Sequence, residues 1–135
     1  SIGEGNYTRP QGEIVWCEDP PTSTVLTGSG HSDVADSGIN LEADTLGKMP
    51  KGAKAIWVNM GFRDSGSAAS SAYLGVQGIG DFLDISISGL ANDSYGYSNQ
   101  SFPLDSSGDY NYRLEASGSA TFDFDHFKIY GVQLR

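Results

Sequence analysis

The sequence predicts an all-β protein, a single antiparallel β-sandwich of jelly-roll type with about eight to nine short strands. Apolar and polar residues alternate in runs of strand length along most of the chain. Clusters of turn-forming residues separate these runs, and 18 of the 135 residues are glycine. No apolar stripe with helical spacing continues beyond two turns. These features together are typical of sandwiches and jelly rolls.

The first 12 residues differ from the rest of the chain. They contain three glycines, one proline and little apolar material, so they predict an extended arm that is either frayed or ordered by lying on a neighbour. Residues 13–135 are predicted to form the sandwich, and a chain of this length corresponds to one domain.

The first third of the chain gives weak strand signals. Residues 13–18 alternate and predict a strand, which Pro20 ends because proline cannot donate to a ladder. Residues 23–27 are a short β-prone run, residues 28–38 are predicted as a polar loop, and residues 39–42 as a weak strand.

The middle of the chain gives the clearest signal. Residues 53–62 run without a breaker and predict a long strand, and residues 72–77 and 82–88 predict two more. The last of these carries three apolar residues in one phase: Leu83, Ile85 and Ile87.

The end of the chain predicts two further strands, at 110–116 and 121–134, with a turn at 105–109 before the first. In the final stretch the phase of the apolar residues changes twice, which predicts bulges or a bend. The three phases hold Phe122 and Phe124, then Phe127 and Ile129, then Val132 and Leu134.

Aromatic residues are the best candidates for binding. Tyr95 and Tyr97 share a phase in a polar segment, where exposed tyrosine would suit sugar stacking or a protein interface. Tyr110 and Tyr112 are predicted to lie in the core. The two tryptophans, Trp16 and Trp57, are also predicted mainly as core.

The formal net charge is −9. This argues against nucleic-acid binding and against binding to an anionic membrane surface, both of which need a basic surface. Between residues 11 and 47 there are seven acids and no Lys or Arg, and several bases follow in a short stretch. This pattern predicts a mixed solvated surface, or a charge-complementary contact with a partner or a neighbouring copy. The candidate interface residues are Tyr7, Arg9, Lys48, Lys51, Tyr95 and Tyr97.

The sequence predicts no catalytic residues, no metal site and no cofactor. Cys17 is the only cysteine, so no intrachain disulfide exists, and it is predicted as a small buried hydrophobe. Nucleophile elbows and phosphate-binding loops are missing from the sequence. Glycines 75, 78 and 80 are predicted to form turns.

One acidic cluster contains residue types that can bind metal ions. Asp123, Asp125 and His126 lie close together, but they are too few to satisfy a hard cation. They are predicted as a solvent-facing row opposite the buried Phe122 and Phe124.

Two segments carry a resemblance to a known group of proteins. PKGAKAIWV at 50–58 and FKIYGVQL at 127–134 resemble the turn-plus-central-strand and the closing strand of small bacteriophage virion β-sandwiches. No functional residue is carried over by this resemblance, and carbohydrate-binding sandwiches close in a similar way.

The resemblance implies a non-enzymatic structural protein of a virus particle. The favoured kind is a head decoration (cement) protein, which would lie on the head surface of the virion and assemble in the host cytoplasm. Its partners would be capsid subunits and copies of itself in a homotrimer, without nucleic acid or membrane. The alternatives are a tail-fibre or receptor-binding domain, or a lectin-like carbohydrate-binding module that binds glycan.

Overall fold

The computed structural model describes residues 14–64, 72–85, 94–116 and 121–134. The predicted arm at 1–12, with Tyr7 and Arg9, lies outside these ranges, so its predictions stay untested.

The described residues form nine strands and one short helix, which confirms the all-β prediction. In chain order the elements are β1 (Ile14–Trp16), β2 (Gly28–His31), β3 (Val34–Ile39), α1 (Leu41–Asp44), β4 (Ala55–Asp64), β5 (Ala72–Gln77), β6 (Leu83–Asp84), β7 (Gly96–Pro103), β8 (Tyr110–Ala116) and β9 (Phe122–Gln133).

The strands form two antiparallel sheets. Sheet A has the order β1-β9-β4-β7, and β2 pairs with β9 beside β1; sheet B has the order β3-β8-β5-β6. One hydrophobic cluster contains residues of both sheets, an arrangement compatible with a β-sandwich. Its largest fully buried side chains are Tyr110, Phe62, Phe122, Phe127, Leu26, Leu41, Ile56, Met60, Leu74, Leu104, Leu114 and Ile129.

The central strands follow the predicted alternation. On β4 every second side chain from Ile56 to Phe62 is buried. On β9 the register against β4 shifts twice, so that Asp125 and Tyr130 are extra residues without a partner on β4. The two phase changes predicted from sequence are therefore confirmed as β-bulges, and they keep Phe127 and the other apolar side chains of β9 in the core.

The predicted polar loop at 28–38 is wrong, because β2 pairs with β9 and β3 pairs with β8 there. The weak strand at 39–42 is also wrong. It is replaced by the turn of helix α1, in which the Asn40 side chain accepts a hydrogen bond from the Ala43 amide at 3.0 Å. The Leu41 amide donates to Asp109 Oδ1 at 2.9 Å, which holds the start of the helix against the turn before β8.

The strand predicted at 82–88 is seen in part. Ile85 is buried as predicted, whereas Leu83 is 47% exposed because β6 is a two-residue edge strand. Ile87 lies outside the described residues. In the described ranges no helix has the length and apolar character that crossing a membrane requires.

Tyr110 and Tyr112 are buried, as predicted. The Tyr110 hydroxyl has no hydrogen-bond partner in the described part of the chain. Burial, helped by the charge of Asp44, raises the pKa of Tyr110 well above its ordinary value. The folded state therefore disfavours the ionised form of this side chain.

We expect Tyr110→Phe to unfold with an unchanged free energy, or one up to about 1 kcal/mol higher, because a buried hydroxyl without a partner costs desolvation. Below the unfolded-state pKa of about 10 the wild-type tyrosine is neutral in both states. As the pH rises past this value, the unfolded state ionises first and stability falls. The variant should lose less stability in this alkaline range, measured by urea denaturation at neutral and alkaline pH. A large loss of stability at neutral pH would mean that the hydroxyl is bonded.

Candidate binding face

The solvent side of sheet A carries an unusual set of aromatic and polar side chains, here called the aromatic face. On β4 these residues alternate with the buried ones, and the register places Tyr97 of β7 opposite Gly61 and Asn99 opposite Asn59. The members of the face are Trp16, Trp57, Asn59, Arg63, Tyr95, Tyr97, Asn99, Asp125, His126, Lys128 and Tyr130.

Tyr97 lies across the sheet. A Cβ atom added to Gly61 would be 2.6 Å from Tyr97 Cε1, so the ring occupies the space that a side chain at 61 would need. The Tyr97 hydroxyl donates to Asp125 Oδ2 on β9 at 2.9 Å. This hydrogen bond raises the pKa of Tyr97. The ring thus reaches from β7 over β4 to β9, held at its far end, while 55% of the residue stays exposed.

Trp16 forms a second aromatic surface of the same kind. A Cβ added to Gly131 would be 2.7 Å from Trp16 Cζ3, so the indole lies over this glycine. It is nearly parallel to Tyr130, with centroids 6.0 Å apart, and meets Trp57 edge-on at 6.3 Å. Trp16 is nevertheless 60% exposed.

Both aromatic surfaces lie beside the bulges of β9. Asp125 is the extra residue of one bulge and accepts the hydrogen bond from the Tyr97 hydroxyl. Tyr130 is the extra residue of the other bulge and packs against Trp16. Bulges commonly re-aim side chains next to functional sites. Here each one supplies a partner that positions an exposed ring.

A polar network occupies the space between the rings. Asn59 Nδ2 donates to Asn99 Oδ1 at 2.8 Å, and Asn59 Oδ1 is hydrogen-bonded to His126 Nε2. His126 Nδ1 lies 3.5 Å from Asp125 Oδ2, so both ring nitrogens of His126 face oxygen atoms of neighbouring side chains. Lys128 lies opposite Asn59 in the register and is exposed. This part of the face offers amide, imidazole and ammonium groups to a ligand.

Arg63 lies at the end of the aromatic face that is farthest from Trp16. Its Nε donates to Asp123 Oδ2 at 2.8 Å, and its guanidinium lies 4.5 Å from the centre of the Tyr95 ring. Asp123 is only 5% exposed and also accepts from the Gly30 amide at 2.9 Å. The predicted solvent-facing row is therefore wrong for Asp123, which is a buried ion-pair partner, although Asp125 is exposed.

The structure distributes the predicted interface residues over separate places. Tyr97 and the half-buried Tyr95 lie on the aromatic face, with centroids 6.2 Å apart. Lys48 and Lys51 lie between α1 and β4 and approach Asp19 at 3.8 Å and Glu42 at 4.0 Å. Exposed ion pairs at such distances contribute little to stability.

Lys48 also borders two surface grooves, of about 590 and 430 Å³, which share Asp19 and Pro21. No aromatic side chain lines either groove. Cys17 lines the smaller groove and is partly buried, and burial raises the pKa of its thiol. Among the described residues, no three His, Cys, Asp or Glu side chains are grouped so that they could hold a metal ion.

The prediction that Trp16 and Trp57 are core residues is wrong. Trp16 is exposed because β1 is a three-residue strand at the sheet edge, and Trp57 is half-buried on the outer side of β4. The sequence held one signal for Trp57, which shares its phase with Asn59 and not with the apolar Ile56 and Val58. Nothing local indicated that Trp16 would cover Gly131.

No protein-family model, curated protein or solved structure matched this chain. Its function is therefore inferred from the chemistry of the face. Exposed rings in held positions offer flat apolar contact, and the groups between them offer directed hydrogen bonds. That combination suits a ligand with apolar ring faces and many hydroxyl groups.

Proposed function

We propose that this chain is a non-enzymatic recognition domain of a virus particle, of the tail-fibre or receptor-binding kind, which binds glycans through the aromatic face. The observation that carries the proposal is the pair of exposed rings, Tyr97 and Trp16, each held over a glycine and separated by a polar network.

Sugars are the ligand class that this chemistry fits best. A sugar ring presents C–H groups on its faces and hydroxyl groups around its edge, so it needs an aromatic surface with donors and acceptors beside it. Tyrosine and tryptophan supply large contact areas at low entropy cost. In a protein interface the centre of the patch is its most apolar part. Here the centre is polar, with Asn59, Asn99 and His126 joined by hydrogen bonds.

The strand order supports a jelly-roll form of the sandwich. Counting β1 and β2 as one interrupted edge strand gives eight strands, four in each sheet. The first then pairs with the last, the second with the seventh, the third with the sixth and the fourth with the fifth. This is the pattern of one long hairpin rolled into two sheets. Jelly rolls occur in both viral capsid and lectin domains.

The placement on a virus particle is supported by the resemblance of segments 50–58 and 127–134 to phage virion sandwiches. Those segments form the start of β4 and most of β9, the two strands at the centre of sheet A. They therefore hold the aromatic face as well as the core.

Tyr97→Ala tests the proposal on a glycan array probed with labelled protein. We expect wild type to bind a defined set of glycans and the variant to lose about tenfold or more in affinity, because a well-packed aromatic contact contributes about 2 kcal/mol or more. The matched control is Tyr73→Ala, which removes a half-buried tyrosine from β5 of sheet B. Absence of any glycan binding by wild type, or equal losses in both variants, would contradict the proposal.

The decoration protein remains a second candidate because of β1. Ile14 and Val15 are 42% and 44% exposed on an edge strand, and Leu134 nearby is 41% exposed. An exposed apolar edge is a ready site for pairing with another chain. If the protein is a decoration protein, we expect light scattering to give the mass of a homotrimer. Val15→Lys should convert the trimer to a monomer. A monomeric wild type would count against a trimer that is stable off the capsid.

A further inference from the structure

Resting on the proposed function, we infer that the aromatic face holds one extended oligosaccharide that contacts Tyr97 and Trp16 at the same time. The ligand would be a neutral, β-1,4-linked chain at least long enough to reach both rings. A single sugar would fill only one of the two aromatic sites.

The spacing of the two glycines sets the required length. Tyr97 covers Gly61, and Trp16 covers Gly131, which pairs with Trp57. Gly61 and Trp57 are four residues apart on β4. At a strand rise of about 3.3 Å the two aromatic sites are roughly 13 Å apart, which is about the length of two to three linked sugar rings.

The region between the two sites suits the middle of such a chain. Halfway along this span the register places Asn59 of β4 between Asn99 of β7 and Lys128 of β9. The Asn59 amide is already held by Asn99 and His126, so its position is set before a ligand arrives. Hydroxyl groups of the middle sugars could exchange hydrogen bonds with the exposed Asn99 and Lys128.

Charge and shape select among glycans. The chain carries a net charge of −9, which opposes the approach of an acidic polysaccharide. The exposed charges of Asp125 and Lys128 on the face are opposite and offset each other, so they do not favour an acidic ligand. The two rings lie against one sheet surface. A β-1,4-linked chain is an extended ribbon that keeps its sugar rings close to one plane, whereas an α-1,4-linked glucan curves away from it.

Isothermal titration with oligosaccharides of increasing length tests the inference. The probes are β-1,4-linked oligomers of glucose, of N-acetylglucosamine and of mannose, from the monosaccharide to the hexamer, with α-1,4-linked glucose oligomers as the matched control. For at least one β-linked series we expect affinity to rise about tenfold to a hundredfold between the monosaccharide and the trimer or tetramer, and then to level off.

Three variants locate the effect. Trp16→Ala and Tyr97→Ala should each lower the affinity for the long oligomer to that for the short ones, since one aromatic site remains in each case. Tyr97→Phe, which keeps the ring and loses the bond to Asp125, should retain most of the length dependence. Thermal unfolding of each variant shows whether the fold is kept.

The outcomes separate the inference from the function on which it rests. Binding that is lost in Tyr97→Ala but does not depend on oligomer length would overturn the two-site inference and leave glycan recognition standing. Preference for the α-linked series, or no binding of any β-linked series, would also overturn it. Failure of wild type to bind any glycan on the array would remove the proposed function itself.

Discussion

Gly78→Ala is expected to lower the free energy of unfolding by about 3 kcal/mol or more, because the added methyl group has no space. A Cβ at position 78 would lie 2.0 Å from the carbonyl oxygen of Pro103 and 2.7 Å from Leu104 Cα. These are backbone atoms at the end of β7, so no side chain can move aside. Gly78 itself follows β5, so this contact joins the ends of sheets B and A.

Gly80→Ala in the same loop is the matched control. Gly80 has a φ of +76° but open space around its Cβ position. Its replacement should cost only about 1 kcal/mol, the penalty of the left-handed conformation. Urea denaturation of both variants gives the comparison. A larger loss for Gly80→Ala than for Gly78→Ala would show that the close approach to β7 does not matter.

Arg63→Met is expected to lower the free energy of unfolding by about 2–3 kcal/mol. The substitution leaves the Asp123 carboxylate buried without its cation, while the Gly30 amide still donates to Oδ1. Removing one member of a buried pair is costly because the other charge stays desolvated. The expected loss is at the low end of the range for breaking buried ion pairs, because the Arg63 side chain is 28% exposed. Tyr95 also loses the guanidinium that packs on its ring.

The double variant Arg63→Met/Asp123→Asn separates charge from packing. It should be more stable than Arg63→Met alone, because no uncompensated charge is then buried. Denaturant unfolding of the two single variants and the double variant measures the coupling. If the effects of the single variants simply add, the ion pair does not account for the loss.

The glycines illustrate how far sequence reasoning reaches. The sequence predicts Gly75, Gly78 and Gly80 as turn formers, and Gly80 does have a positive φ. The prediction is wrong for Gly75, which lies inside β5. Gly78 does not have a positive φ. A glycine is required there because the backbone at Pro103 and Leu104, more than twenty residues away, leaves no space for a Cβ atom. Gly61 and Gly131 likewise make room for rings that come from other strands. A sequence window cannot contain these reasons, because they arise only when distant strands pair.

The sequence by itself determined the all-β class, the long central strand, the strands at 72–77 and 110–116, and the two places where β9 changes phase. These depend on the alternation of side chains along one strand, which is a local property. Tyr95 and Tyr97 were also found from their polar setting, and both lie on the aromatic face.

Only the tertiary structure decided the rest. β2 and β3 form in a polar segment because β9 and β8 supply their hydrogen-bond partners. Trp16 is exposed because it lies on an edge strand, and the aromatic face exists because β7, β4, β9 and β1 bring four separate segments side by side. Strand pairing and burial are set by contacts between residues far apart in the chain, so a local pattern can supply the side chains of a site but not their arrangement.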